Sequence, residues 1–215
     1  METIKCEKTM ASYRVEDLVL EVKVLLDRNR TSTALINDAD VETLQQDALI
    51  EPRIQEAVRL IEQYAPASML SDAETVSCNS DTYTFTMPIL RVLGVRGTEW
   101  KRSARMITPD DDEYSYQHSV YGVKGNNERP FCAIIEDGGY VMLEFIPSTN
   151  VTISYLPIPT VNGGSIAICE ACKDAVVYAV ASLVSNAMGD VSGYNALLAT
   201  AYQMAGISNK QDSQQ

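Results

Sequence analysis

Phe131-Cys132-Ala133-Ile134-Ile135-Glu136-Asp137-Gly138-Gly139-Tyr140-Val141-Met142-Leu143-Glu144-Phe145-Ile146 decides how the middle of the chain is read. Two runs rich in β-branched and aromatic residues flank Asp137-Gly138-Gly139, a sequence that suits a tight turn with positive φ. The stretch predicts a β-hairpin with strands over 131–136 and 140–146. Upstream, Tyr83, Phe85 and Met87 alternate with threonines, the pattern of a half-buried strand over 82–87. Residues 89–95 and 102–107 are further strand candidates, and 110–119 holds a short helical turn after Pro109. Downstream, 151–155 makes another strand. Pro157 and Pro159, which cannot donate to a ladder, close the sheet.

Outside this region the apolar period changes. Val15, Leu18, Val19, Val22, Leu25 and Leu26 recur at helical spacing. Glu16 and Asp17 stand in the first turn, where the helix dipole favours acids. Residues 29–40 read as a polar connection. Ile50, Ile54, Ala57, Val58 and Ile61 share one face of a second helix, with Pro52 expected in its first turn and Pro66 stopping it. After a Gly163-Gly164 hinge, Cys172, Val176, Ala179, Val180, Leu183 and Val184 define a third helix ending near Met188-Gly189. Tyr194, Leu197, Leu198, Ala201 and Met204 define a fourth, which Gly206 ends. Residues 208–215 are polar and read as a disordered tail.

The order is two helices, five or six strands and two helices, which predicts an α+β fold. The expected architecture is a four-helix bundle built from both chain ends, with an antiparallel β-sheet domain inserted. Its boundaries are N-terminal helices over 1–75, a β-rich insertion over 76–160, a C-terminal helical hairpin over 161–207 and the tail over 208–215.

Composition narrows function. The chain has 215 residues, 17 basic against 29 acidic side chains and a formal charge of −12. Phosphate repels such a surface, which argues against generalised binding to nucleic acid or anionic membrane. No apolar stretch approaches the roughly 18–20 residues of a membrane span. Residues 1–8 are charged and lack the apolar core of a secretory signal. The expectation is a chain made in a cytoplasm, with its five cysteines reduced.

Few residues suggest chemistry. Cys169-Glu170-Ala171-Cys172 has the spacing of half a zinc site or of a redox pair. The only other candidate ligands are Cys6, Cys78, Cys132 and His118, none at a knuckle spacing. A helix start with two partly buried thiols is the plainer reading, and a soluble metal-binding or redox protein is the alternative. Asp110-Asp111-Asp112-Glu113 lacks the spacing and glycine of a calcium loop. His118 beside Ser119 has no orienting acid in sequence. Phosphate-cradling loops, dinucleotide fingerprints and nucleophile elbows do not occur. The expectation is therefore neither an enzyme nor a cofactor-binding protein.

The cations are unevenly spread. Arg91, Arg96, Lys101, Arg102 and Arg105 fall within fifteen residues around Trp100, the single tryptophan. Arg and Trp are enriched at interface anchors, so these six residues are a candidate docking patch for an acidic partner or for nucleic acid. They read equally as outward charges on alternating strand positions.

One longer pattern runs through the chain. Asp47-Ala48-Leu49-Ile50 and Ile54-Gln55-Glu56-Ala57-Val58-Arg59-Leu60-Ile61 lead a helix that ends before a proline. Met87-Pro88-Ile89-Leu90-Arg91-Val92 follows, then Trp100, then Val123-Lys124-Gly125-Asn126-Asn127-Glu128-Arg129-Pro130. Ser154-Tyr155-Leu156-Pro157 closes the β region. Asp174-Ala175-Val176-Val177-Tyr178-Ala179-Val180-Ala181-Ser182-Leu183 precedes a helix ending in Tyr202-Gln203-Met204-Ala205-Gly206. This order, over residues 45–207, resembles the head-to-tail connector proteins of tailed bacteriophages, the adaptor or ring proteins that stack beneath the portal. The resemblance implies a non-enzymatic structural protein of the virion neck or tail, made in the host bacterium. It implies a ring, commonly a dodecamer, that contacts the portal protein and other neck or tail rings. Genomic DNA would pass through its lumen without sequence-specific binding, and a net-negative lumen would keep phosphate from sticking.

Overall fold

The computed structural model describes residues 10–29 and 41–207. In chain order the elements are β1 (Ala11–Arg14), α1 (Val15–Asn29), α2 (Val41–Tyr64), β2 (Glu74–Cys78), β3 (Thr82–Thr84), β4 (Ile89–Gly97) and β5 (Arg105–Ile107). Then follow α3 (Asp112–His118), β6 (Phe131–Asp137), β7 (Tyr140–Ile146), β8 (Val151–Pro157), β9 (Val161–Asn162), β10 (Ser165–Ile168), α4 (Lys173–Ala187) and α5 (Val191–Met204). Contacts divide them into two units. Ala73–Ile158 belongs to one, and the described residues of 10–72 and 159–207 form the other.

In the first unit, β6 and β7 form the hairpin expected from the turn sequence, with Asp137 opposite Tyr140 and Phe131 opposite Ile146. Gly138 and Gly139 take φ of 56° and 89°, which only glycine adopts without a steric cost. The hairpin lies in a four-stranded sheet of order β3-β7-β6-β5, and β2-β8-β4 make a second sheet. Phe85, Val95, Trp100, Leu143, Phe145 and Ile153 join in one buried cluster. Burying such aromatic and branched side chains contributes about 1.5–3 kcal/mol each.

In the second unit most of each expected stripe is buried, while Leu25, Leu26, Tyr194 and Leu198 are half-buried and Met204 is exposed. Val15, Leu18, Val19 and Val22 are the inner face of α1, and Ile50, Ile54, Ala57, Val58 and Ile61 that of α2. Both helices pack on α4, which is buried from Ala175 to Ser185 except at Tyr178. A helix apolar nearly all round has to be interior. The fourth helix, α5, packs on α4 through Leu197 and Ala201. Asp190 caps it by accepting the N–H of Gly193 at 2.9 Å.

The architecture differs from the expected four-helix bundle with one inserted antiparallel sheet. Among the described residues the chain is mixed α+β, with five helices and ten strands in three sheets. The helical unit has its own sheet, β1-β10-β9, in which Ala11 pairs with Ile168. Gly163-Gly164 is not a hinge but the turn of the β9–β10 hairpin, with φ of 56° and 76°. The β region is two sheets and is not wholly antiparallel. β5 runs parallel to β6 because the chain between them carries α3, a crossover that returns the strand in the same direction. Pro52 lies inside α2, which begins at Val41, well before the expected start. The strand expected over 82–87 ends at Thr84, and that over 102–107 starts only at Arg105. β8 continues to Pro157, which lies opposite Ile89 at the end of the ladder. Of the connection over 29–40, only Asn29 is described, as the last residue of α1; 30–40 and the tail lie outside the described residues.

Candidate partner-binding surface

The basic cluster spans β4, the turn after it and the start of β5. Along β4, alternate residues point to opposite faces. Val95 is buried with Ile153 and Val151 of β8, which puts Arg96, paired in register with Thr152, on the outer face beside Gly94 and Ser154. A bulge between Val92 and Gly94 changes the strand's course just before these residues.

The turn that follows is packed from below. Trp100 is 4 % exposed and belongs to the core cluster, so its ring does not lie on the surface as an interface anchor would. Its backbone N–H donates to the carbonyl of Gly97 at 3.3 Å. A β-carbon built on Gly97 would lie 2.5 Å from the indole and 2.4 Å from Thr149, so the residue at 97 has to be glycine for the ring to close on the strand. With Trp100 inside, its neighbours Lys101 and Arg102 are held outward, both exposed.

Lys101, Arg102 and Arg105 have local partners. Lys101 pairs with Glu128 at 2.5 Å, and the Nε of Arg102 donates to the carbonyl of Glu128 at 2.5 Å. The 126–129 turn that presents Glu128 is closed by Asn126, whose side-chain oxygen accepts from the N–H groups of Glu128 and Arg129, each at 2.9 Å. Arg105 pairs with Glu113 of α3 at 2.7 Å. These pairs are exposed, where water and salt screen them and each adds about 0–1 kcal/mol. Arg91 is half-buried on β4. Arg96 is exposed and has no hydrogen-bond or ion-pair partner among the described residues.

Asp111 of the acidic run has local partners. Asp111 accepts from the N–H and hydroxyl of Thr108 at 2.6 and 3.0 Å, and these bonds lower its carboxyl pKa. Nearby, His118 Nε2 lies 3.0 Å from Glu144 of β7, and its Nδ1 lies 2.9 Å from the carbonyl of Tyr114. Sequence reasoning had no means to find the Glu144 contact, since the two residues meet only across the sheet.

Cys169 and Cys172 are fully buried at the entry to α4. Burial, together with the nearby carboxylates of Glu62 and Asp72, pushes the Cys169 thiol pKa well above its ordinary value. That disfavours the thiolate needed for nucleophilic attack or metal ligation. Among the described residues no group of three or more His, Cys, Asp or Glu is placed to hold a metal ion, and no helix is long and apolar enough to cross a membrane.

No protein-family model matches the chain, and no curated protein matches it.

Proposed function

We propose that this chain is a structural subunit of a tailed-phage virion, forming a ring between the portal of the head and the tail and continuing the DNA channel. The observation that supports the reading most is the interrupted unit. Helices from before residue 73 and after residue 158 pack together, while Ala73–Ile158 makes a separate β-rich unit. In this reading the β-rich unit is the part that meets a neighbouring ring. A second support is the segment after α3, where Val120, Tyr121 and Val123 are 87–97 % exposed. Such an apolar surface is suited to burial against another subunit. In this reading the chain performs no catalysis. The basic residues Arg91, Arg96, Lys101, Arg102 and Arg105 meet an acidic surface, and Trp100 holds their turn in place from beneath. Charge matching of this kind sets register and rejects wrong partners more than it adds affinity.

Electron microscopy of intact particles labelled on this subunit tests the reading. Annular density at the neck or tail supports it, as does a ring of purified protein whose mass is a multiple of 23.7 kDa. Label distributed elsewhere in the particle, or absent from it, overturns it.

A further inference from the structure

The outer face of β4 and β8 carries a groove that assembly alone does not explain. It is open to solvent, has a volume of about 530 Å³, and is lined by Gly94, Arg96, Trp100, Ser103, Thr152 and Ser154 among others. The register that pairs Arg96 with Thr152 and Gly94 with Ser154 puts Arg96 on one face with the two hydroxyl residues, with no side chain at 94 to fill the space. A β-carbon at Gly94 would meet no atom within 4 Å.

One cation lines this groove. Arg96 has no partner among the described residues. Trp100 also lines the groove, while its indole Nε1–H is closed off from solvent and has no acceptor. A buried N–H without an acceptor costs about 1–3 kcal/mol. The rest of the polar lining is serine and threonine hydroxyls, which can turn their protons toward a ligand. No carboxylate lines the groove. A cation and several hydroxyls make a set of donors, and the group that satisfies it is one with several acceptor oxygens and a negative charge.

We infer that the groove between Arg96 and Trp100 is an oxyanion-binding site that takes a phosphate or carboxylate group. The site is local to the β-rich unit and does not depend on the ring reading.

The single tryptophan makes the test direct. The purified full chain is titrated at constant ionic strength with inorganic phosphate and, separately, with hexaglutamate, while Trp100 emission is recorded. A saturable change is expected, absent with chloride. Arg96→Gln should raise the half-saturation concentration by about tenfold or more, as loss of a charge-assisted hydrogen bond requires. Gly94→Val should abolish the change by filling the groove. Both variants should keep the native circular dichroism, since Arg96 is exposed and the space at Gly94 is open. A response to phosphate alone assigns the site to phosphate groups, and a response to hexaglutamate assigns it to carboxylates. No saturable response to either probe, or a response that Arg96→Gln leaves unchanged, overturns the inference.

Discussion

The carboxylate of Glu62 on α2 accepts the backbone N–H of Cys169, the residue just after β10, with a distance of 2.8 Å. The bond joins the helices before the β-rich unit to the segment that enters α4 after it. Glu62 is 1 % exposed, and its second oxygen, Oε2, has no partner. Burial raises its pKa from 4.5 to about 7, against the lowering effect of the bond from Cys169.

This carboxyl should make stability fall as pH rises. Below pH 4.5 it is protonated in both folded and unfolded chains. Between 4.5 and about 7 the unfolded chain has released the proton that the folded chain retains. Folding is therefore penalised progressively, up to about 3 kcal/mol above pH 7. Urea unfolding from pH 5 to pH 8 should show the decline, and Glu62→Gln should flatten it. A profile identical in the variant would show that Glu62 does not control it.

Gly97 and Trp100 form the second tight relationship. Gly97→Ala would drive a methyl into the indole and Thr149, and should destabilise the chain by about 1–3 kcal/mol. Trp100→Ala, which leaves a cavity in the core cluster, should cost about 3–5 kcal/mol. Thermal or urea melts measure both. An unshifted Gly97→Ala midpoint would mean that the turn yields without strain.

The lone histidine gives a clean titration. The bond with the Tyr114 carbonyl, and then the one with Glu144, raises the His118 pKa above 6.5. Its NMR midpoint should lie above that value, and Glu144→Gln should bring it down. Because the folded pKa is the higher one, the small stabilisation from this pair is present at low pH and is lost as pH rises through the folded value.

Arg102→Glu with Arg105→Glu should leave the subunit folded, since their partners Glu128 and Glu113 are held in exposed pairs. On the proposed reading the double variant should nevertheless block attachment of tails to filled heads. Circular dichroism of the subunit and particle images give the two halves of the result. A folded variant with normal particles would reduce the patch to a solvated surface.

The apolar stripes of α1, α2, α4 and α5 and the 131–146 hairpin were legible from sequence because each depends on neighbours within a few residues. Helical spacing selects which side chains can share a face, and Asp137-Gly138-Gly139 selects a tight turn. The basic cluster was legible as composition. Its geometry was not, because Lys101 and Arg102 meet Glu128, and Arg105 meets Glu113, only after β5, α3 and the 126–129 turn have come together.

Strand partners were beyond reach for a related reason. Alternation marks a strand but does not name its neighbour, and strands as short as β1, β9 and β10 barely show alternation at all. Ala11 pairs with Ile168 because folding brings the two chain ends together, and β5 lies parallel to β6 because α3 intervenes. The inward turn of Trp100 belongs with these. An aromatic among cations reads as an exposed anchor until the core that receives it, built from β4, β6, β7 and β8, is in place. Local periodicity was enough to mark the long helices and the 131–146 hairpin; which elements meet, and which side chains they cover, is decided by non-local burial, which no short window of sequence contains.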